Sequence, residues 1–155
     1  MSTPASIAVE FEDGTVRSIY VHSDGFLNHH GPILEQNYNT LEKAKALIAL
    51  GDLSILGPKI GKKRPFDNPN RYGTAEYNAF NAKYGNQCVA YGRDRDETDT
   101  GANVYKNVKE YVKECCGDYN CNFLFKDGKW YIRSNTYGSK FFQFNEAKEI
   151  GKDED

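Results

Sequence analysis

The chain has 155 residues, of which 39% are hydrophobic and 27% charged, with a formal net charge of -2. That length suits one domain of roughly 100–150 residues, and the charge balance excludes both a generally basic nucleic-acid coat and an acidic disordered solubiliser. No apolar run approaches the roughly 20 residues of a membrane span, and the first residues lack the regions of a signal peptide. A soluble cytoplasmic protein with no membrane partner is expected.

The opening reads as a hairpin. Ser6–Glu12 alternates Ile7, Val9 and Phe11 with polar or small residues, Asp13-Gly14 supplies a tight turn, and Val16–His22 returns with Ile19 and Val21 on one face. A loop over 23–31 follows, and Pro32 can open a short helix through Leu34 and Tyr38. Asn39 with Glu42 resembles a capping box, and Leu41, Ala44, Leu47 and Ile48 then share a helical face up to Gly51.

Residues 57–73 form a long basic loop. Three prolines and three glycines break it up, and Lys59, Lys62, Lys63, Arg64 and Arg71 stand against Asp67 alone. A short helix is expected over Ala75–Tyr84, then a third strand over Gln87–Tyr91 and a charged loop from Arg93 to Asp99. The spacing of Val104, Val108, Tyr111, Val112 and Cys115 predicts a second main helix. A second hairpin, 122–126 and 129–134, turns at Asp127-Gly128, and Phe141, Phe142 and Phe144 suggest a final edge strand. The acidic tail from 146 to 155, with five acids and two lysines, is expected to fray.

These elements predict an α+β fold in one domain over 1–145. The mainly antiparallel sheet combines two Asp-Gly hairpins with a third strand, and the two main helices pack on one face. An edge strand over 141–144 would permit a homo-oligomer. The four cysteines (88, 115, 116 and 121) read as free thiols of a reducing compartment, because their spacing lacks the two paired sets of a zinc site.

The N-terminal third also carries a string of recognisable residues. It runs through Ser2-Thr3, Ile7-Ala8-Val9, Asp13-Gly14, Ile19-Tyr20, His22-x-Asp24-Gly25 and Gly31, then Tyr38-Asn39-Thr40 and 50–54. With Ala90-Tyr91, Arg93-Asp94-Arg95 and the stretch from Tyr119 to Tyr131, it resembles a group of small proteins encoded by tailed bacteriophages and prophages. Most of that group lack an assigned function. Pro4, Ser23 and Phe26-Leu27 depart from the basic residue, the tryptophan and the Tyr-Pro common there, so any contact made by that tryptophan does not carry over. The resemblance implies a phage origin and a setting in the host bacterial cell, and supplies no chemistry.

Three groups of residues offer chemistry. His22, Asp24, His29 and His30 gather all three histidines within nine positions, suiting ligand contact, metal binding or proton transfer. No fixed metal or catalytic motif accompanies them, and Asp24-Gly25 equally serves as a turn. Arg93 and Arg95, on an extended segment, would point the same way and grip phosphate oxygens, or else pair with their acidic neighbours. Both candidate loops follow strands and could emerge at one end of the sheet. The basic loop, with Phe66, Arg71 and Tyr72 interleaved, could meet a nucleotide or an acidic protein; duplex DNA is disfavoured because no helix is basic along one face.

The expectation is therefore a phage accessory protein that counteracts a bacterial defence by binding without turnover. It would sequester a nucleotide-type signal through His22, Asp24, His29, His30, Arg93 and Arg95, or inhibit a host defence protein, with no cofactor or metal. A small hydrolase or phosphodiesterase cleaving such a signal, and a protein-interaction module using the basic loop, are the alternatives.

Overall fold

The structure is a computed structural model that describes residues 3–134 and 138–153. Ser2 and the last two residues of the acidic tail lie outside the described residues. Among the described residues the fold is α+β, with one eight-stranded, mostly antiparallel sheet and six helices. In chain order the elements are β1 (Ala5–Glu10), β2 (Val16–Val21), α1 (Leu27–Asn37), α2 (Leu41–Ala49) and β3 (Leu53–Ile55). They continue with α3 (Ala75–Tyr84), β4 (Val89–Ala90), α4 (Tyr91–Arg95), β5 (Asn103–Tyr105) and α5 (Val108–Glu114). The chain ends with β6 (Cys121–Lys126), β7 (Lys129–Ser134), β8 (Gly138–Gln143) and α6 (Phe144–Asp153).

The strands run β4-β3-β2-β1-β6-β7-β8, with β5 pairing on β2 beside the far end of β3. Both Asp-Gly hairpins form. In the second, Asp127 and Gly128 have φ of 51° and 79°, the doubly left-handed turn whose twist matches the strands it joins. The two hairpins meet through a parallel pairing of β1 with β6, in which Ile7 lies opposite Phe123.

Strand alternation divides the interior in two. Ile7, Val9, Ile19, Phe123, Phe125 and Ile132 face α1, α2 and α6, where Leu34, Leu47, Ile48 and Phe144 complete the larger core. Ala8, Val16 and Leu124 face the other way, under Tyr111, Cys115 and Cys116. Helices therefore cover both faces of the sheet. This corrects the expected pair on one face: α2 and α5 lie on opposite sides because Ile7 and Ala8, adjacent in β1, point into different cores. The smaller core also holds a polar chain. The Ser6 hydroxyl bonds the Tyr111 hydroxyl and Asn122 Oδ1, each at 2.6 Å, and the Asn122 amide donates to the carbonyls of Cys116 and Tyr119.

Several boundaries differ from the expected ones for local reasons. α1 begins at Leu27 and carries Pro32 inside; the bond lost to the carbonyl of exposed Asn28 can be replaced by water. Thr40, not Asn39, caps α2, its hydroxyl accepting from the Lys43 amide at 3.2 Å. The segment predicted as one helix over 104–115 splits, because Asn107 caps α5 and Val104 pairs with Arg17 as part of β5. The charged loop after Ala90 begins as the short helix α4. Where fraying is expected, residues through 153 are helical, and Phe144 and Ala147 are buried in the larger core. Phe144 thus belongs to α6, not to the edge strand.

Candidate functional site

The histidine loop serves mainly to join β2 to α1. Asp24 has a φ of 61°, and the Gly25 amide donates to the Thr3 carbonyl at 2.7 Å. A side chain at Gly25 would meet the Ala5 Cβ at 2.5 Å, so only glycine lets the turn lie this close to β1. His22 bonds the Tyr20 hydroxyl through Nδ1 at 2.6 Å, on the face where Tyr20 meets Tyr119. His30 packs against Phe123 in the opposite core, its Nδ1 3.1 Å from His29 Nδ1. The His29 ring approaches Asp24 at 4.0 Å. The sheet therefore separates His22 from His29 and His30. Burial, helped by the charge of His29, pushes His30 down to about 3, so it is neutral at physiological pH. Its Nε2 is buried without a hydrogen-bond partner. Among the described residues no three His, Cys, Asp or Glu side chains gather as a metal site.

Arg93 and Arg95 take different directions, because their segment is helical. Arg93 is a clamp: it grips Asp94 through Nε at 2.9 Å and Nη2 at 3.1 Å, and also donates to the carbonyls of Ile60 and Cys88. The Asp94 carboxylate further accepts from the amides of Ala90 and Arg64. Burial raises the Asp94 pKa, but the Arg93 guanidinium and the two amides outweigh it and hold the carboxyl below its ordinary value. Arg95 pairs with Glu97 and lies over the Phe66 ring at 4.2 Å. The two candidate loops also diverge. β2 runs parallel to β3 and β4 antiparallel to it, so the chain leaves Val21 and Ala90, both level with Leu53, in opposite directions.

The basic loop is anchored by these contacts. The Lys59 amide and carbonyl pair with the chain at Asn86 and Cys88, Lys63 pairs with Asp96, and the Arg64 amide reaches Asp94. Arg64 also donates from Nη1 to the Tyr84 carbonyl at 2.6 Å and lies over the rings of Tyr84 and Phe80. Lys59, Lys62, Lys63 and Arg71 are exposed.

Between this loop, α3 and the β3–β4 edge lies an open groove of about 470 Å³. It exceeds the clefts beside Phe11, of about 270 and 290 Å³, and falls in the range of small-molecule sites. Phe66 and Phe80 form apolar walls, Arg64 supplies a cation, and Asn81 and Gln87 supply amides, with Asp67 also lining it. Arg64 belongs to the basic loop visible in the sequence and Phe80 to the aromatic stripe of the 75–84 helix, whereas Asn81 and Gln87 carry no motif that marks them as site residues. The available signal was the 77, 80, 84 aromatic stripe on α3, a helix with no buried residue of its own.

No family model, curated protein or solved structure matches the chain. Among the described residues, no helix is long and apolar enough to cross a membrane.

Proposed function

We propose that this chain is a phage accessory protein that antagonises a bacterial defence by binding a nucleotide-type signal without turning it over. The observation that carries the reading is the groove of about 470 Å³, where aromatic walls, amides and a guanidinium meet below a cationic loop. Aromatic faces suit bases, and fixed guanidinium donors suit phosphate oxygens. The site in this reading shifts from the histidines and Arg93 to the groove, because Arg93 spends its donors on Asp94 and on backbone carbonyls. The exposed Lys59, Lys62, Lys63 and Arg71 would draw an anionic ligand toward it, or an acidic surface of a host defence protein.

The test is retention and recovery. The protein is incubated with linear and cyclic nucleotides, filtered, then heated, and both fractions are chromatographed. A nucleotide missing from the filtrate and recovered unchanged on heating supports sequestration, whereas passage of every nucleotide refutes it. A cleavage reading has its own observation: the Tyr20–His22 bond lies near Asp52, whose carboxylate accepts from the Tyr20 amide at 2.9 Å and whose pKa burial pushes upward. A new product in the heated fraction would favour that hydrolase over a binder.

A further inference from the structure

We infer that Arg64 is the phosphate anchor of the groove and that the occupant is a mononucleotide unit, one base and one phosphate; this rests on the nucleotide-binding reading above. Arg64 is half-buried, and among the described residues its guanidinium donates only to the carbonyls of Pro65 and Tyr84. Among the described residues it forms no ion pair within 4 Å, whereas Arg93, Arg95 and Lys63 each hold a carboxylate. A guanidinium has five N–H donors, so three remain, one on Nη1 and two on Nη2. A partly desolvated cation that Asp94 offsets only from beyond ion-pair distance is costly in a fold, and an arriving anion relieves that cost. The rings of Phe80 and Tyr84, 5.6 and 5.1 Å from the Arg64 guanidinium carbon, hold its plane in place.

The remaining lining defines the rest of the ligand. Phe66 is backed by Tyr91 and Arg95, which makes it a fixed wall rather than a loose ring. Asn68 is consumed internally: its amide donates to the Tyr77 carbonyl and Asn81 Oδ1, and its oxygen accepts from Asn70. Among the described residues, Asn81 Nδ2 and the Gln87 side-chain amide, which lies against Gly61, make no hydrogen bond, a set able to read the donor and acceptor edge of a base. Asp67 sets the charge limit. A carboxylate in the lining accepts ribose hydroxyls and repels a di- or triphosphate, which favours a single phosphate at Arg64.

Calorimetric titration of the full chain tests this with the four nucleoside 5′-monophosphates, their nucleosides, their triphosphates and inorganic phosphate. At least one monophosphate is expected to bind more tightly than its triphosphate and its nucleoside. Arg64→Met should weaken it at least tenfold while leaving the nucleoside unchanged, and Arg64→Lys should fall between. Because Arg64 also ties the loop to α3, Asn81→Asp is the second variant. It keeps the acceptor for Asn68, replaces the Asn81 donor with a negative charge, and should weaken the monophosphate at least tenfold. Tighter triphosphate binding, or unchanged monophosphate affinity in either Arg64→Met or Asn81→Asp, would overturn the inference and leave nucleotide binding standing. Silence from every nucleotide would overturn both.

Discussion

The middle of the sheet and the loop and helix beyond its β4 edge are held together by different forces. Around β1, β2, β6 and β7, apolar side chains fill both faces, and even the polar chain from Ser6 to Asn122 is fully enclosed. Around the basic loop and α3, outside the buried β4, the reverse holds. α3 buries no residue, and the region is tied by Asp94, Arg93, Arg64 and cation–ring contacts. Burial gives the first region stability that tolerates surface change. Directional contacts give the second a fixed shape with its remaining polar groups facing solvent, the arrangement a ligand site needs.

The sharpest way to break this contrast is to cut one tie in each region. Phe123→Ala, in the larger core, should cost about 3–5 kcal/mol in chemical denaturation and speed hydrogen exchange throughout the sheet. Asp94→Ala should cost about 3 kcal/mol by stranding Arg93, with faster exchange concentrated at residues 59–64 and 88–90. Equal acceleration in β1 and β6 would show that the two regions are one cooperative unit. Because the Asp94 pKa is lowered by folding, its stabilising contribution is present above the unfolded carboxylate value and disappears as pH falls through the folded one.

His30 sharpens the same contrast from the buried side. An unfolded histidine takes a proton near pH 6.5, whereas His30 in the fold resists until about 3. Stability should therefore fall with pH across that window, by about 1.4 kcal/mol at pH 5.5. His30→Phe keeps a ring against Phe123 and should flatten the slope above pH 4; an unchanged slope in denaturation curves would contradict the burial argument. Tyr111→Phe removes one hydroxyl from the polar chain and should cost about 1 kcal/mol. Glu12→Gln breaks a surface pair with Lys45 and should leave the melting temperature unchanged.

The same division decides what could be read from sequence. Both hairpins and α2 were legible because alternation, helical period and Asp-Gly turns are local signals. The faces of the sheet were not, since the parallel contact of β1 with β6 spans most of the chain. β3 is three residues long, too short for a periodic pattern, whereas β4 falls inside the strand expected over 87–91. The site was legible only as a composition. Arg64 stood in a visible basic loop, but its distinction from Arg93 depends on where one neighbouring carboxylate points. The histidines looked clustered because they are close in sequence; the strand they follow places His22 on one face and sends α1 to the other.

Hydrogen exchange of the full chain, with and without the nucleotide retained most tightly on filtration, tests the central claim most directly. Binding in the groove predicts slowed exchange at residues 59–68 and 77–89, with residues 22–30 unchanged. Slowing at the histidine loop alone, or no slowing anywhere, would contradict it.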